Sequence, residues 1–436
     1  MQSHGLSETD DGTEPAGARP FDRYGSVLDS TLAYARRREY VGPDYGDGLS
    51  SRLLQALPVD NRWLNLAVQE TVKRAPIDVR PLFRVEHRRN YKGAALFTMA
   101  NLNYHELAAR DGGADAAFDP VAEAERLADW LVDERIRGYS GFCGGHRHPI
   151  QHLHTKGVPS DPDIVSTAYA VRALLRAADL NEEYAELAGT ARSFLIEDLN
   201  YREVPNGAKI DYHMNHPEDA YTINAAALGA GMLVDLYEYF GDDDLRTRAT
   251  KILDHVAATQ TERGGWPYRL PASASHLSMD NHHNGFVIEA FQRYRDVVDA
   301  DRYAETLDDA LEFYRTELFQ LDGAPNFDEE HAYPRDIHAS TQGMLVFTRE
   351  GDLEFAERIL RWVLANLQVE EGQFYYRKYR HHTKRVTLMR WCQGWMAYAL
   401  SEFLRASLAS DTGAAGFEAE SSRALGSGRV PAETRP

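Results

Sequence analysis

The sequence predicts an all-α protein whose helices pair into hairpins and whose hairpins close into a ring. Three observations predict it. Short signatures that open apolar helices recur six times (YKG, STA, TIN, HNG, TQG and CQG), ending at Gly93, Ala168, Asn224, Gly285, Gly343 and Gly394. A second series, Gly141, Gly207, Gly264, Gly323 and Gly372, alternates with the first, and a glycine just past a helix is the usual left-handed stop. Strand signals are few and short. Each unit therefore reads as helix, turn, helix, glycine stop and long polar loop, and units of this period bury their cores by stacking on neighbours.

Taken in order, residues 1–20 and about 409–436 are rich in Gly, Ala, Ser, Glu and Pro and are expected to be disordered tails. They flank a single domain over 21–408. A first helix is expected over 22–41, ending at Gly42–Pro43, and a second over 60–75, ending before Pro76. Inner helices follow at 93–110, 165–178, 220–240, 283–298, 338–349 and 389–405. Their outer partners fall at 119–137, 182–198, 243–261, 301–319 and 352–369, where apolar residues recur at amphipathic spacing. The sixth unit lacks an outer helix of its own, and the helix at 60–75 is expected to fill that gap.

Composition narrows the function. The 436 residues carry a net charge of −19, with only seven lysines, and 43% are hydrophobic, enough for a full core. Such a surface keeps a protein soluble and repels nucleic acid and anionic membranes; its acidic, lysine-poor character resembles that of salt-loving archaea. Two cysteines, Cys143 and Cys392, exclude a disulfide framework and a four-cysteine zinc site. The polar, acidic N-terminus does not read as a secretory signal, and no apolar run approaches a membrane span. A soluble cytoplasmic location is the expectation.

In a ring, the long loops share one face, and six helix N-termini point at one mouth, which attracts anions. The stretch 260–291 brings Trp266, Tyr268, Asp280, Asn281, His282 and His283 to that loop layer. Asp280 or Asn281 suits a helix N-cap. Adjacent histidines are not expected to face the same way on a helix, so one of them, His283 by preference, is expected to reach the mouth as a proton carrier. Residues 373–392 hold Arg377, Lys378, Arg380, Lys384, Arg385 and Arg390 with no acid, a local reversal of the global charge that suits a carboxylate or phosphate. His381 and Trp391 lie in the same stretch. The loop 326–342 offers Arg335 and His338 for substrate contact, with Asp336 as an N-cap, and the loop 205–222 offers Tyr212, His213, His216 and Asp219. Trp266, Tyr268 and Trp391 are candidates for stacking on sugar faces. His146, His148, His152 and His154 match no closed zinc spacing, so sugar or anion contact by His146 is preferred to a metal, and no cofactor is assigned.

Six hairpins with polar, aromatic loops ahead of the inner helices resemble the (α/α)6 toroid over about residues 60–405. That fold is shared by six-hairpin glycosidases, uronate lyases and epimerases, sugar 2-epimerases and terpene cyclases. SDPDIVSTA (160–168) and QTERGGW (260–266) resemble terpene-cyclase motifs, but Ile164 stands where the first needs an aspartate. The stretches GGWPYRLP and MDNHHNGFV are similar to those of haloarchaeal proteins of surface-glycoprotein N-glycan assembly. The resemblance implies a saccharide or lipid-linked saccharide as partner. The expected activity is epimerisation or isomerisation of a uronic-acid-containing sugar, in which His283, His338, Tyr212, His381 and Asp280 serve proton transfer and Arg377, Arg380, Arg390 and Arg335 bind. Two alternatives stand beside it. One is glycoside hydrolysis or lyase chemistry, the former with paired carboxyls drawn from Asp163, Asp219, Asp280, Glu330 and Asp336. The other is a non-catalytic toroid that binds a glycan or lipid-linked intermediate.

Overall fold

The computed structural model describes residues 20–110, 118–152, 155–214 and 220–411. The tails expected over 1–20 and about 409–436 lie outside the described residues except at Pro20 and at 409–411, which are helical; His154, His216 and Asp219 lie outside them too. Six inner helices run in chain order: α3 (Tyr91–Arg110), α5 (Ile164–Arg176), α7 (Ile223–Phe240), α9 (Asn281–Val297), α11 (Ile337–Arg349) and α13 (Trp395–Asp411). Each packs on the next, and α13 packs back on α3, so the ring is closed. Because both sides of an inner helix meet protein, burial is nearly continuous along it: in α11 every residue from Ile337 to Thr348 is buried.

The outer helices are amphipathic and bury one stripe each. They are α1 (Pro20–Arg36), α4 (Pro120–Asp133), α6 (Glu182–Gly189), α8 (Asp243–Ala257), α10 (Ala304–Glu317) and α12 (Leu353–Leu367). In α12 the stripe is Phe355, Ala356, Ile359, Leu360, Trp362, Val363 and Leu367, the spacing of a single helical face. The sixth outer position is filled by α1, not by the helix expected at 60–75. α1 buries Tyr24, Leu28, Leu32 and Ala35, packs on α13, and is tied to α12 by Arg23 and Tyr24, each 2.8 Å from Glu357. The helix Arg62–Arg74 (α2) buries Asn65, Gln69 and Val72 and leaves Trp63 61% exposed. Its inward face is polar: Asn65 and Gln69 bond Gln151, so α2 sits beside the mouth.

The alternating glycines do a different job from the one the sequence suggests. Gly264 lies seven residues past α8, too far to cap it. A Cβ on Gly141, Gly207, Gly264, Gly323 or Gly372 would collide with the backbone of Thr190, Lys251, Asp309, Arg358 or Ser30 respectively. These residues belong to, or directly follow, the next outer helix around the ring. Gly207, Gly264, Gly323 and Gly372 also have positive φ. The series therefore marks where each loop is pressed against its neighbour's outer helix, and Gly372 makes that contact with α1, closing the circle.

Below the mouth the ring axis is filled by buried charges that neutralise one another. Arg172 on α5 bonds Asp235 on α7 (2.9 Å) and Glu289 on α9 (2.6 Å), and Arg293 bonds Asp235 (2.8 Å). Gln342 on α11 donates to Glu289 (3.1 Å). Four inner helices are thus fixed relative to one another by a network in which removing one partner would strand a buried charge. This network is the floor under the site.

Candidate active site

Five inner helices and the short π-helical turn Met389–Gly394 that leads into α13 line one cavity of about 880 Å³ at the mouth, through Lys92, Ser166, Asn224, His282, His338, Arg390 and Trp391. This is the size of a pocket for a compact organic ligand. The loops add Tyr45, His146, Tyr212, Tyr268, Tyr379 and His382, among others.

Asp280 is the N-cap of α9 and is buried. His282 and His283 follow in the first turn, and both line the cavity, against the expectation that adjacent histidines diverge. First-turn side chains lean past the helix end rather than out from its flank. Both Nδ1 atoms reach Asp280: His283 at 2.7 Å from Oδ2 and His282 at 3.2 Å from Oδ1. Their ring centroids are 4.0 Å apart, and His338 on α11 stands 4.7 Å from His282. Neither ring nitrogen of His338 has a hydrogen-bond partner among the described residues. Burial first, and the neighbouring imidazoles next, push His282 and His338 well below the ordinary histidine range, so both are neutral at pH 7. Burial opposes ionisation of Asp280, but His283 and His282 against it more than offset that and hold its carboxyl below the usual range. Tyr268 stacks 4.4 Å from His283. Tyr212 also lines the cavity, with its hydroxyl pushed well up by burial, a donor rather than a base.

The cationic wall differs from the expectation. Arg377 lines the cavity, but its Nε lies 2.6 Å from Asp336. Arg390 lines it too and is paired with Asp44 at 2.9 Å. Arg380 and His381 are exposed at the tip of the hairpin between the strands Arg377–Lys378 and Thr383–Lys384. The residues flanking that tip, Tyr379 and His382, stack on each other at 4.7 Å and are the ones that face the cavity. Arg335 is not in the lining; its guanidinium lies over the rings of Tyr333 and Trp362.

Three further expectations are corrected by burial. Trp266 is 2% exposed, donates its indole N–H to the Val256 carbonyl and stacks on Phe291 within the core, away from any sugar. Asn281 donates to the Leu318 carbonyl and accepts from the Tyr314 hydroxyl. Asp280 lies beneath the histidines rather than in the cavity wall, which makes it a positioning group. Trp391 and Tyr268 do reach the cavity; Trp391 donates to Asp336 (2.9 Å) and stacks on Tyr45 (4.8 Å).

His146 faces the cavity, lowered to about 3 by burial first, and its Nε2 sits 3.4 Å from Arg390 Nη2, which makes it an acceptor. His148 is bonded to Ser50 (2.9 Å). Among the described residues, the donor set a metal ion would fit is not this segment but Asp280, His282 and His283, whose ligand atoms lie within 4.8 Å of one another; of these, His283 Nδ1 is already hydrogen-bonded to Asp280. Sequence reasoning passed over Lys92, although it is one of only seven lysines and sits inside the first helix-opening signature. It also passed over Asp44 and Tyr45, for which no periodicity or charge cluster gave a signal.

The architecture is similar to solved structures of carbohydrate-active (α/α)6 toroids. A sugar epimerase from a ruminal bacterium superposes with a TM-score of 0.57 at 16% identity, covering 74% of this chain and 90% of that one. Cellobiose 2-epimerase from Bacillus thermoamylovorans gives 0.55 at 15% identity with the same coverages. A GH76 α-mannanase from Bacteroides thetaiotaomicron gives 0.50 at 13%, covering 74% and 87%. No family model and no curated protein matches the sequence. At these identities the likeness establishes the fold. Among the described residues, no helix is long and apolar enough to cross a membrane.

Proposed function

We propose that the protein is a carbohydrate-active enzyme that moves a proton at a sugar carbon, an epimerase or isomerase acting on a uronic-acid-containing saccharide. One observation carries the reading: His282, His283 and His338 stand in ring contact in the lining of a saccharide-sized cavity, and one of them, His283, is oriented by a buried carboxylate. With Nδ1–H of His283 given to Asp280, its Nε2 lone pair is left to accept a proton. A second base on a different helix, His338, offers the return of a proton from another direction, which inversion at carbon requires. The fold's likeness to two sugar epimerases supports the same reaction class.

The hydrolytic alternative is less well supplied. It needs two carboxyl groups across the scissile bond. Among the described cavity residues only Asp161 and Asp163 carry one, while Asp336 is engaged by Arg377 and Trp391 and Asp280 by histidines. The place of the reaction, in assembling the N-linked glycan of surface (S-layer) glycoproteins on a free or lipid-linked saccharide, is supported by the resemblance of residues 264–271 and 279–287. Mass spectrometry of surface glycans from a deletion strain tests it: a truncated or isomeric glycan is expected, and an unchanged glycan removes that placement.

The chemistry is tested by incubating the enzyme with neutral and uronic mono- and disaccharides in D2O and following them by NMR. Deuterium is expected at the carbon beside the carbonyl or carboxylate. New reducing ends without isotope at carbon would overturn proton transfer in favour of hydrolysis.

A further inference from the structure

The cations around the cavity are, with one exception, already neutralised. Lys73 and Arg74 share Glu70 (3.7 and 2.7 Å), Lys156 meets Asp60 (2.8 Å), Arg377 meets Asp336 (2.6 Å) and Arg390 meets Asp44 (2.9 Å). Lys92, on the first turn of α3, is the exception: among the described residues it has no carboxylate within salt-bridge distance and no hydrogen bond. We infer that Lys92 is the anchor for an anionic group of the substrate, a carboxylate or a phosphate, beside the histidine cluster. The inference rests on the saccharide reading above and replaces the arginines as the group that reads the substrate's charge.

The surroundings of Lys92 suit that role. Lys92 is 6% exposed and lines the cavity. The rings of Tyr169, Phe286 and Trp395 surround Nζ with centroids 5.4–5.6 Å away. Ring faces stabilise a cation without using its N–H donors, so all three donors remain for a ligand. Nearby charges do not complete the site. Asp163 is engaged by the backbone N–H and hydroxyl of Ser166 (2.7 and 2.9 Å), Asp44 by Arg390, and Arg390 itself repels Lys92. Burial and Arg390 lower the Lys92 ammonium to about 7, the direction expected of a cation short of a counter-ion. A buried methylene chain alone would be served by leucine or methionine; a buried, unpaired ammonium is costly unless a ligand supplies the opposite charge. The Lys92 charge also bears on both His282 and His338, which puts an anchored carboxylate next to the groups that would take the neighbouring proton.

The test is calorimetric titration of the full-length protein, wild type, Lys92→Met and Lys92→Arg, with glucuronate, glucose 6-phosphate and glucose. At least one anionic sugar is expected to bind wild type more tightly than glucose. Lys92→Met is expected to weaken that sugar at least tenfold and leave glucose unchanged, with partial recovery in Lys92→Arg. Preference for glucuronate identifies a carboxylate and preference for glucose 6-phosphate a phosphate. Three results overturn the assignment: wild type that binds glucose as tightly as both anions, Lys92→Met that keeps its anionic selectivity, or Lys92→Met that weakens all three sugars equally. If Lys92→Met does not fold, the wild-type selectivity and the Lys92→Arg titration decide. Deuterium exchange into glucose without anionic preference would sink the Lys92 anchor while sparing proton transfer; no binding of any sugar would remove both.

Discussion

His283 Nδ1 lies 2.7 Å from Oδ2 of Asp280, and that carboxylate is buried at the N-cap of the same helix. The contact fixes the imidazole's orientation and its tautomer, while the second oxygen of Asp280 accepts the His283 backbone N–H at 3.4 Å and lies 3.2 Å from His282 Nδ1. Asp280→Asn keeps the shape but, with its amide oxygen left on the His283 backbone N–H, offers an amide N–H to the His283 imidazole. That ring must then flip or lose its bond, and its Nε2 no longer presents a lone pair. Deuterium exchange is expected to fall about 100-fold or more with KM changed little, and the acid limb of the pH–rate profile should move. A variant with a normal pH profile would show that Asp280 is a cap and nothing else.

The acid limb itself is predicted by burial. His282 and His338 are held well below the ordinary histidine value. A group that works as a neutral base stays competent down to its own pKa, so exchange should remain flat from pH 7.5 to 6.5 and decline only in more acid solution. A limb centred at pH 6.5 or above, in a pH–rate titration with a saturating sugar, would assign the base to an unburied group.

The glycine series allows its two physical effects to be separated. Gly351 has φ +78° with nothing near its missing Cβ, whereas Gly372 has φ +69° and faces the backbone of Ser30. Gly351→Ala pays only the left-handed penalty, about 1 kcal/mol. Gly372→Ala adds a steric collision at the seam between α1 and the ring, for a total of about 2–4 kcal/mol. Thermal or urea unfolding of the two variants checks it; equal losses would mean that the loop at Gly372 can draw back from α1.

These glycines also show what a sequence discloses and what it withholds. Their period was plain, as were the inner helices, because continuous burial and repeated starts are local patterns. The purpose of the glycines was not, because the atom each avoids lies on another helix. The same limit explains α1 and α2: both are helix-length, and only the partner surface shows that Leu28 and Leu32 meet the core while Asn65 and Gln69 meet a polar loop. His338, Tyr268 and Trp391 were legible as residues of the loops and helix starts that share the mouth. Arg380 and His381 were misplaced because a hairpin tip turns its two central side chains outward, which a charge count does not register. Lys92 was hidden by being single: nothing in a sequence marks a cation that lacks a counter-charge.

Stability should fall on mild acidification, for a reason tied to His146. Burial lowers its imidazole to about 3, and its Nε2 accepts from Arg390. In the unfolded chain the same group titrates near 6.5. Between pH 6.5 and about 3 the unfolded state therefore binds a proton that the native state refuses. Native stability is complete above pH 6.5 and declines as pH falls through that window, by up to about 1.4 kcal/mol per pH unit for this one group. His148, His282 and His338 are lowered too and add in the same direction. His146→Gln removes the titration and retains an acceptor for Arg390. Urea unfolding of wild type at pH 7, 6 and 5 is expected to show a steady loss of stability, and the variant a shallower one by about one proton's worth. Parallel curves for the two proteins would mean that His146 takes up its proton in the folded state.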